Sequence, residues 1–420
     1  MIIEFSVQNF RSIYDKVTLS MLASKLSSKE ATLDNVFYHE NYPNLPLLKS
    51  AVIYGANASG KSNLLKSLVL FKDFIINSTS NKFGDKLPYE PFRLLTKATK
   101  EPICLEMDFI AWDNIRYVYG FKIDEYEVLE EYLSAFNSRK ETKLFVRRKG
   151  ERIQFSSSFK GEKKILEEQL LKNTLLLSKA ANNNYEQMQV VYSYFTNAIS
   201  IIPFDNNPIT TSFLAYTDSK FRKYLTDFLK AADTGIEGVE VERDILQRYS
   251  SNELDNMPWN YTTNYRINVA HKSIDNSNSE KIFWSLSEES EGTQKIYHIV
   301  APVIETLNTG GILIIDEISS SLHPDIVGRL IIELFNNKKT NPKNAQLIFT
   351  THDVSLLTSE LFRRDQIWFT EKNNKGMTEL YSLGSFDKKE VRKDIPFDKW
   401  YLSGRFGALP NIQEFNIKPE

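Results

Sequence analysis

The sequence contains very little cysteine, with Cys104 as its single thiol. One thiol excludes an internal disulfide framework and is too few for a cysteine-ligated zinc site. This usage is typical of a reducing compartment, and it predicts a cytoplasmic protein.

Long apolar runs are also missing. No uninterrupted run approaches the roughly 20 residues that a membrane-spanning helix needs. The N-terminal stretch MIIEFSVQNFRSI alternates as a strand does, and it lacks the basic and then apolar order of a signal peptide. No membrane partner is predicted.

An excess of charge of either sign is absent as well. Lys plus Arg number 52 and Asp plus Glu 54, so the net charge of −2 gives no whole-chain attraction to nucleic acid. A nucleic-acid partner stays open but would need a local basic surface. The basic cluster Ser138–Ile153 offers one, although a solvated hairpin with a turn at Lys149–Gly150 is the favoured interpretation.

What the sequence does contain is a phosphate loop. Residues 55–62 spell G-x-x-x-x-G-K-S between a strand-like run, 51–54, and an amphipathic helical stretch, 63–74. Glycines let backbone N–H groups approach phosphates, and the following helix directs its positive end at the same anion. Lys61 is expected to reach the β- and γ-phosphates, and Ser62 to supply a hydroxyl to Mg²⁺.

Two acids follow a second buried strand. Ile312–Ile315 is a continuous apolar run typical of a parallel strand covered on both faces. Asp316 at its carboxyl end is expected to reach the Mg²⁺ shell. Glu317 beside it is expected to polarise the water that attacks the γ-phosphate.

A third strand of the same kind, Gln346–Phe349, leads into a histidine. A lone histidine is more often structural than catalytic. His352, however, follows the carboxyl end of a predicted parallel strand, where an imidazole can hydrogen-bond a γ-phosphate oxygen. A functional role is therefore the favoured interpretation.

The stretch WSLSEESEGTQK stands at the start of an apolar-periodic segment, Thr293–Leu307, which predicts a helix that is kinked at Pro302 and ends at Gly310–Gly311. Ser290 and Gly292 then lie at the amino end of that helix. By itself this is an ordinary N-cap, but a small hydroxyl and free amides also form an anion site.

The order of these motifs resembles that of the ATP-binding-cassette ATPases, in particular their SMC-like and RecF-like branch. GANASGKSN is similar to the phosphate loop of that branch, SEGTQ to its signature, SSSLHP to its D-loop and His352 to its switch histidine. The resemblance implies a head-to-head homodimer with two ATP molecules between the subunits, with higher oligomers left open. It implies these nucleotide contacts: Gly55, Asn57, Ser59, Gly60, Lys61, Ser62 and Asn63 of the loop, Asn9, Arg11 and Ser12 near the N-terminus, and Ser290, Gly292 and Thr293 from the opposite subunit.

A narrower resemblance covers nearly the whole chain. Six segments are similar to those of stand-alone ATPases from bacterial abortive-infection, anti-phage and restriction-associated operons: YEPFRL, SEGTQK, DEISSSLHP, RRDQIWFTEKN, GMTELYSL and YLSGRFGALPNI. This resemblance implies an ATP-driven switch that controls a separate effector protein, with a nuclease among the candidates. Two alternatives stay open: a RecF-like DNA-repair ATPase and, less favoured, a nuclease in its own right.

These observations predict an α/β fold, namely an ABC-type P-loop head with a mixed central sheet and an N-terminal antiparallel β subdomain, interrupted by a helical lid. The predicted division is 1–125 for the first half of the head, 126–280 for the inserted β and helical lid region, and 281–420 for the second half. Within the insertion, Arg266 and His271 have the Arg-x4-His spacing of certain ribonucleases. Their neighbours alternate as in a strand, so a chance match is the favoured interpretation.

Overall fold

The computed structural model describes residues 1–24, 34–137, 140–202, 209–247, 261–274, 281–387 and 395–410. Ser138 and Arg139 of the basic cluster and the last two residues of the C-terminal motif, 411–412, lie outside these ranges. So do parts of the predicted lid region.

The strands, in chain order, are β1 Ile2–Gln8, β2 Val17–Ser20, β3 Val36–His39, β4 Tyr42–Leu48, β5 Ser50–Gly55, β6 Ile103–Ile110, β7 Arg116–Ile123, β8 Val128–Phe136, β9 Thr142–Arg148, β10 Gln154–Phe155, β11 Ile199–Ile202, β12 Ile236–Gln247, β13 Tyr261–Lys272, β14 Lys281–Ser285, β15 Ile312–Ile315, β16 Gln346–Thr350, β17 Ile367–Lys372 and β18 Thr378–Ser382.

The helices are α1 Lys61–Asn77, α2 Lys163–Glu168, α3 Leu176–Asn182, α4 Glu186–Asn197, α5 Ile209–Thr217, α6 Ser219–Ala231, α7 Glu291–Thr309, α8 Glu333–Asn336 and α9 Phe397–Leu402. A π-helical segment, Ile326–Ile332, leads directly into α8. None of the described helices is long and apolar enough to cross a membrane.

The central sheet has the order β11-β15-β16-β5-β17-β18. Neighbouring strands from β11 to β17 are parallel, and β18 pairs antiparallel to β17. The predicted mixed central sheet is thereby confirmed, and the three strands predicted from apolar runs, β5, β15 and β16, lie side by side within it.

The inner strands of the central sheet, β15, β16 and β5, are buried on both faces because their middle positions are apolar. In β5, Ala51 and Ile53 face one hydrophobic core, whereas Val52 and Tyr54 face the other. Successive side chains of a strand point to opposite faces, so a continuous apolar run serves two cores at once.

The second large sheet is antiparallel and seven-stranded, in the order β10-β9-β8-β7-β6-β1-β2. It confirms the predicted N-terminal antiparallel subdomain. Gln346 joins the two sheets: its Oε1 accepts from Ile2 N at 2.7 Å, and its Nε2 donates to Leu48 O at 3.0 Å. The amino end of β1 is thus held against the central sheet.

Aromatic side chains fill the core between α1 and the antiparallel sheet. Phe71 of α1 stacks on Phe121 of β7 at 5.3 Å and meets Phe195 of α4 edge-on at 5.5 Å. Tyr194 of α4 stacks on Phe109 of β6 at 4.7 Å. Such pairs add about 0.5–1.5 kcal/mol each to the burial of apolar area.

The interval predicted as the inserted lid, 126–280, contributes to several parts of the fold. Strands β8, β9 and β10 continue the antiparallel sheet, and β11 forms an edge of the central sheet. Helix α4 belongs to the aromatic core. Helices α5 and α6 and strands β12 and β13 belong to the second core, which also contains the buried face of α7. Neither boundary of the predicted insertion therefore coincides with a boundary between sheets.

The helix predicted from the apolar spacing at Thr293–Leu307 is α7, and Ser290 is its N-cap. The helix continues through Pro302 and ends at Gly310, whose φ of 74° is the left-handed conformation that glycine adopts without strain. This helix leads directly into β15, so its amino end and the carboxyl end of β15 face the same edge of the sheet.

Candidate functional site

The candidate site lies at the carboxyl edge of the central sheet. Strands β15, β16 and β5 are parallel and in register, with Ile315 opposite Phe349 and Phe349 opposite Val52. Their carboxyl ends therefore open at one edge, which is where ligands bind in open α/β sheets. The phosphate loop, Asp316 and His352 all follow these three strand ends.

Lys61 folds back onto its own loop. Its Nζ donates to Gly55 O at 2.8 Å and to Ala56 O at 3.2 Å, and it lies 3.5 Å from His352 Nδ1. Burial lowers the pKa of Lys61, while the carboxylates Glu317 and Asp316 oppose that shift. The ammonium group thus lies among carbonyl dipoles that phosphate oxygens can replace.

Gly60 fits the loop for two physical reasons. Its φ of 116° is strained for any residue with a side chain. A Cβ there would also lie 2.2 Å from Thr378 Oγ1, inside van der Waals contact. Thr378 Oγ1 lies 2.8 Å from Ser59 O, and Ser59 Oγ lies 2.6 Å from Thr370 Oγ1. Strands β17 and β18 therefore hold the loop from behind, with Ser59 buried and Asn57 exposed.

Thr350, the last residue of β16, orients both acids. Its Oγ1 donates to Asp316 Oδ1 at 2.6 Å and accepts from Glu317 N at 2.8 Å. Glu317 has a φ of 51°, a left-handed conformation that costs of order 1–3 kcal/mol outside glycine. The strain is local to the residue predicted to polarise water.

His352 connects the lysine and the glutamate. Its Nε2 lies 2.9 Å from Glu317 Oε1. Burial and the nearby Lys61 charge lower the pKa of His352, and Glu317 and Asp316 oppose the shift. A neutral ring protonated at Nε2 satisfies both contacts, because it donates to Glu317 and accepts from Lys61 at Nδ1.

The N-terminal residues predicted near the nucleotide lie in different environments. Ser12 Oγ accepts from Asn63 Nδ2 at 2.8 Å, so the turn that follows β1 is tied to the start of α1. Arg11 forms an ion pair with Glu90, at 2.9 Å from its Nε to Oε2. Asn9 is 1% exposed, and its amide donates to Ala98 O and Glu101 O at 2.8 Å each. Asn9 thus holds a neighbouring loop, whereas Ser12 and Arg11 border the phosphate-loop helix.

A cavity of about 410 Å³ opens beside the phosphate-loop helix. Its lining includes Arg11, Ser12, Asn63, Glu90 and Lys372. The cavity is large enough for a nucleoside, and its lining offers both hydrogen-bond donors and acceptors.

The signature residues lie against the D-loop of their own chain. Ser290 Oγ accepts from Thr293 N at 3.2 Å and caps α7. A Cβ on Gly292 would lie 2.6 Å from Ser321 O, so only glycine permits this approach. Among the hydrogen bonds of the described residues, none joins Ser290, Gly292 or Thr293 to the phosphate loop. Ser290 is exposed.

Glu289, one of the three acids beside the signature, is paired within the chain. Its Oε1 lies 2.7 Å from His271 Nε2 and accepts from Trp284 Nε1 at 2.8 Å. The rings of His271 and Trp284 stack at 4.0 Å with an interplanar angle of 7°. The histidine of the Arg-x4-His spacing therefore joins β13 and β14 to the signature.

Lys295, which the sequence reasoning did not single out, connects α7 to the acids. Its Nζ donates to Glu317 O and to Ser320 O, at 2.8 Å each. Burial lowers the pKa of Lys295 to about 8, and Glu317 and Asp316 oppose the shift. The sequence shows that Lys295 lies at the start of the helix that follows SEGTQ. Only the folded structure shows that it donates to Glu317 O and Ser320 O.

The donor set fits Mg²⁺ held jointly with a nucleotide. Asp316 supplies a carboxylate and Ser62 a hydroxyl, and Mg²⁺ prefers oxygen ligands, typically one or two protein groups completed by phosphates and water. Within the described ranges no group of three or more His, Cys, Asp or Glu side chains could hold a metal by itself. The residues present therefore suit a metal that arrives with ATP.

A sequence profile of the family described as "AAA domain, putative AbiEii toxin, Type IV TA system" matches residues 50–358, which include the phosphate loop, the signature, Asp316-Glu317 and His352. The chain belongs to this family. The resemblance predicted from the motifs is thereby confirmed at the level of the family, and the site of this AAA-domain protein is that of a P-loop ATPase.

Comparison with solved structures finds the recombination mediator protein RecF in the RecFOR pathway. The RecF-ATPrS structure is similar with 11% identity and a TM-score of 0.36, over 90% of this chain and 98% of that chain. The RecF-ATP structure gives 13% identity and a TM-score of 0.38, over 90% and 97%. At such scores the similarity supports no conclusion about the activity of this AAA-domain protein. No curated protein matches the chain.

Proposed function

We propose that this protein is an ATP-binding and slowly hydrolysing switch that dimerises on ATP and controls a separate effector protein in phage defence. The observation that carries the proposal is the continuous contact from Lys61 through His352 to Glu317 at the carboxyl edge of the sheet. These three groups are what phosphate binding and water activation require.

In the proposed site, Lys61 exchanges its contacts with Gly55 O and Ala56 O for the β- and γ-phosphates of ATP. Ser62 and Asp316 would hold Mg²⁺, which when bound neutralises charge on the phosphates. Thr350 keeps Asp316 oriented before the metal arrives. The cavity beside Arg11 and Ser12 is the proposed place for the nucleoside.

Glu317 is the proposed general base. It already accepts a hydrogen bond from His352, so its carboxylate is oriented toward the loop before ATP arrives. When ATP enters, His352 can turn from Glu317 to a γ-phosphate oxygen, and Glu317 is then free to accept a proton from water. Because His352 leaves Glu317 only when it can bind the γ-phosphate, hydrolysis begins only after the phosphates are bound.

A second copy of the chain completes the proposed site. Ser290 is exposed and contacts Thr293, and Gly292 contacts the backbone of Ser321. Neither reaches the phosphate loop of its own chain. The amino end of α7 is therefore free to meet ATP held by the partner, as the signature resemblance implies.

Control of an effector is supported by the family description and by the motifs that resemble those of ATPases from abortive-infection and anti-phage operons. A switch of this kind needs a long-lived ATP state and a partner that distinguishes it from the free state. The effector is proposed to be a separate protein, with a nuclease among the candidates.

Replacing Glu317 with Gln tests the switch. We expect Glu317→Gln to bind ATP with near-normal affinity and to hydrolyse it about 100-fold or more slowly, because the general base is lost. Its ATP-bound dimer should persist, as measured by light scattering after size exclusion. Hydrolysis by this variant at the wild-type rate would contradict the assignment of the base.

The same variant separates the alternative functions. An effector that co-purifies with Glu317→Gln from phage-infected cells, and not with Lys61→Ala, supports the switch. ATP-dependent, salt-sensitive DNA binding by the purified protein would instead support a RecF-like clamp. Cleavage of DNA or RNA by the purified protein alone would support a nuclease.

A further inference from the structure

Lys295 holds the segment that follows β15 at two points. Its Nζ donates to Glu317 O and Ser320 O at 2.8 Å each. One turn earlier in α7, Gly292 lies so close to Ser321 that a Cβ would be 2.6 Å from its carbonyl oxygen. The start of α7 is therefore in direct contact with three residues of the segment from Glu317 to Ser321.

The backbone of Glu317 depends on this support. Its φ of 51° is one that a non-glycine residue keeps only when its surroundings fix it. Thr350 Oγ1 accepts from Glu317 N at 2.8 Å, and Lys295 donates to Glu317 O. The two peptide groups of Glu317 are thus held from opposite sides, by β16 and by the signature helix.

The direction of the Glu317 side chain follows from that backbone. Its carboxylate lies 2.9 Å from His352 Nε2. Without the Lys295 contact, the strained conformation has lost one of its two hydrogen-bond supports, and the carboxylate is free to leave the position that faces the phosphate loop. Misplacement of a catalytic group by about 1 Å can cost on the order of 100-fold in rate.

We propose that Lys295 is a positioning residue that couples the two ATP sites of the dimer, because it joins the helix that meets the partner's ATP to the general base of its own site. The inference rests on the proposed function, in which Ser290 acts across the dimer and Glu317 activates water. Closure of α7 on the partner's nucleotide then aligns Glu317 in the chain that carries the lysine.

The first test compares Lys295→Met with Lys295→Arg. Methionine keeps the length of the side chain without its donors, and arginine retains donors for both carbonyls. We expect Lys295→Met to lower kcat about 10- to 100-fold and to leave the KM for ATP within about threefold, because the phosphate loop is intact. Lys295→Arg should recover kcat to within about fivefold of wild type.

Lys343→Met is the matched control. Lys343 Nζ donates to Asn308 O at 2.6 Å at the far end of the same helix, away from the acids. We expect this control to retain wild-type kcat and KM. A kcat of Lys295→Met within twofold of wild type overturns the proposal, and so does an equal loss in Lys295→Met and Lys343→Met.

Mixed dimers test the coupling and do not depend on the stability of one variant. In a dimer of one Lys61→Ala chain and one wild-type chain, only the wild-type chain binds ATP and its α7 meets no nucleotide, so we expect turnover well below half that of the wild-type dimer. In a dimer of one Lys295→Met chain and one wild-type chain, both chains bind ATP and only the wild-type chain aligns Glu317, so we expect about half of wild-type turnover. A dimer with one Lys61→Ala chain that keeps half of wild-type turnover overturns the coupling.

Failure of this inference is distinguishable from failure of the proposed function. Slow turnover by Glu317→Gln together with wild-type turnover by Lys295→Met removes only the role of Lys295. Wild-type turnover by Glu317→Gln removes the proposed base, and the role of Lys295 with it.

Discussion

The Glu131–Arg147 pair inside the antiparallel sheet and the Glu317–His352 pair at the edge of the central sheet differ in how their charges are surrounded. Glu131 is fully buried and accepts from Leu176 N at 2.7 Å, Leu177 N at 3.0 Å and Tyr119 OH at 3.0 Å. Arg147 lies 3.6 Å from it.

Arg147 is used as completely as its partner. It donates to Thr174 O at 2.6 Å and to Leu171 O and Lys172 O at 3.1 and 3.2 Å. Burial raises the pKa of Glu131, while Arg147 and the backbone amides oppose the shift. This network closes the loop before α3 against the sheet and leaves no group for a ligand.

The charged groups at the edge of the central sheet have partners that a ligand can displace. The His352 side chain is 42% exposed and that of Glu317 is 21% exposed. Lys61 donates hydrogen bonds to carbonyl groups of its own loop. Buried polar groups need permanent partners, but groups at a binding edge need partners that a ligand can displace. The first cluster has the permanent partners of a fold-stabilising network, whereas the second has the exposure and the replaceable contacts that a ligand site needs.

The largest expected effect breaks the closed network. Glu131→Ala removes the counter-charge of Arg147 and the acceptor of two backbone amides, and we expect a loss of about 3–5 kcal/mol in the free energy of unfolding. Urea denaturation measures it. Glu130→Ala is the matched control, because Glu130 pairs with Lys122 and Arg148 at the surface and should cost less than about 1 kcal/mol. Equal losses in the two variants would show that the buried network contributes no more to stability than the surface ion pairs of Glu130.

An intermediate effect is expected at the exchangeable cluster. Lys61→Ala should weaken ATP binding about 100-fold or more, because the charge-assisted contacts to the phosphates are lost. The melting temperature should stay close to that of wild type. Isothermal titration calorimetry measures the affinity, with the exposed Lys66 of the same helix, replaced by Ala, as the control. A melting temperature that falls as far as that of Glu131→Ala would show that Lys61 stabilises the fold, as Glu131 is expected to do.

The smallest expected effect sharpens the comparison at the signature. Trp284→Phe keeps a ring to stack on His271 and removes one donor to Glu289, a bond worth about 1 kcal/mol. We expect ATP-dependent dimerisation, measured in the Glu317→Gln background, to weaken about fivefold. A lower melting temperature with unchanged dimerisation would instead make this cluster part of the fold's support.

The sequence was sufficient for the elements whose signal is local. The apolar runs of β5, β15 and β16 and the phosphate-loop pattern predicted strands and a helix that the structure contains. The short run Ile199–Ile202, by contrast, has no local feature that assigns it to the central sheet. Its partner Ile312–Ile315 is more than a hundred residues away, and only the packing of the fold pairs them.

The candidate site shows the same limit. Lys61, Asp316, Glu317 and His352 belong to motifs, and their positions followed from the order of strands. The roles of these residues stay predictions until they are measured. Lys295 and the contact of His271 with Glu289 could not be predicted, because each depends on which carbonyl or carboxylate a folded loop presents.

The position of β5 also dictates when the protein can begin to work during its synthesis. Ser50 pairs with Leu347 on one side, and Val52 pairs with Ile367 on the other. A ribosome adds about 5–20 residues per second, so the phosphate loop waits roughly 15–60 s for the neighbours of its strand. A nascent or truncated chain that stops before β16 lacks both flanks and cannot assemble an ATP site. We therefore expect no ATP binding until translation is nearly complete.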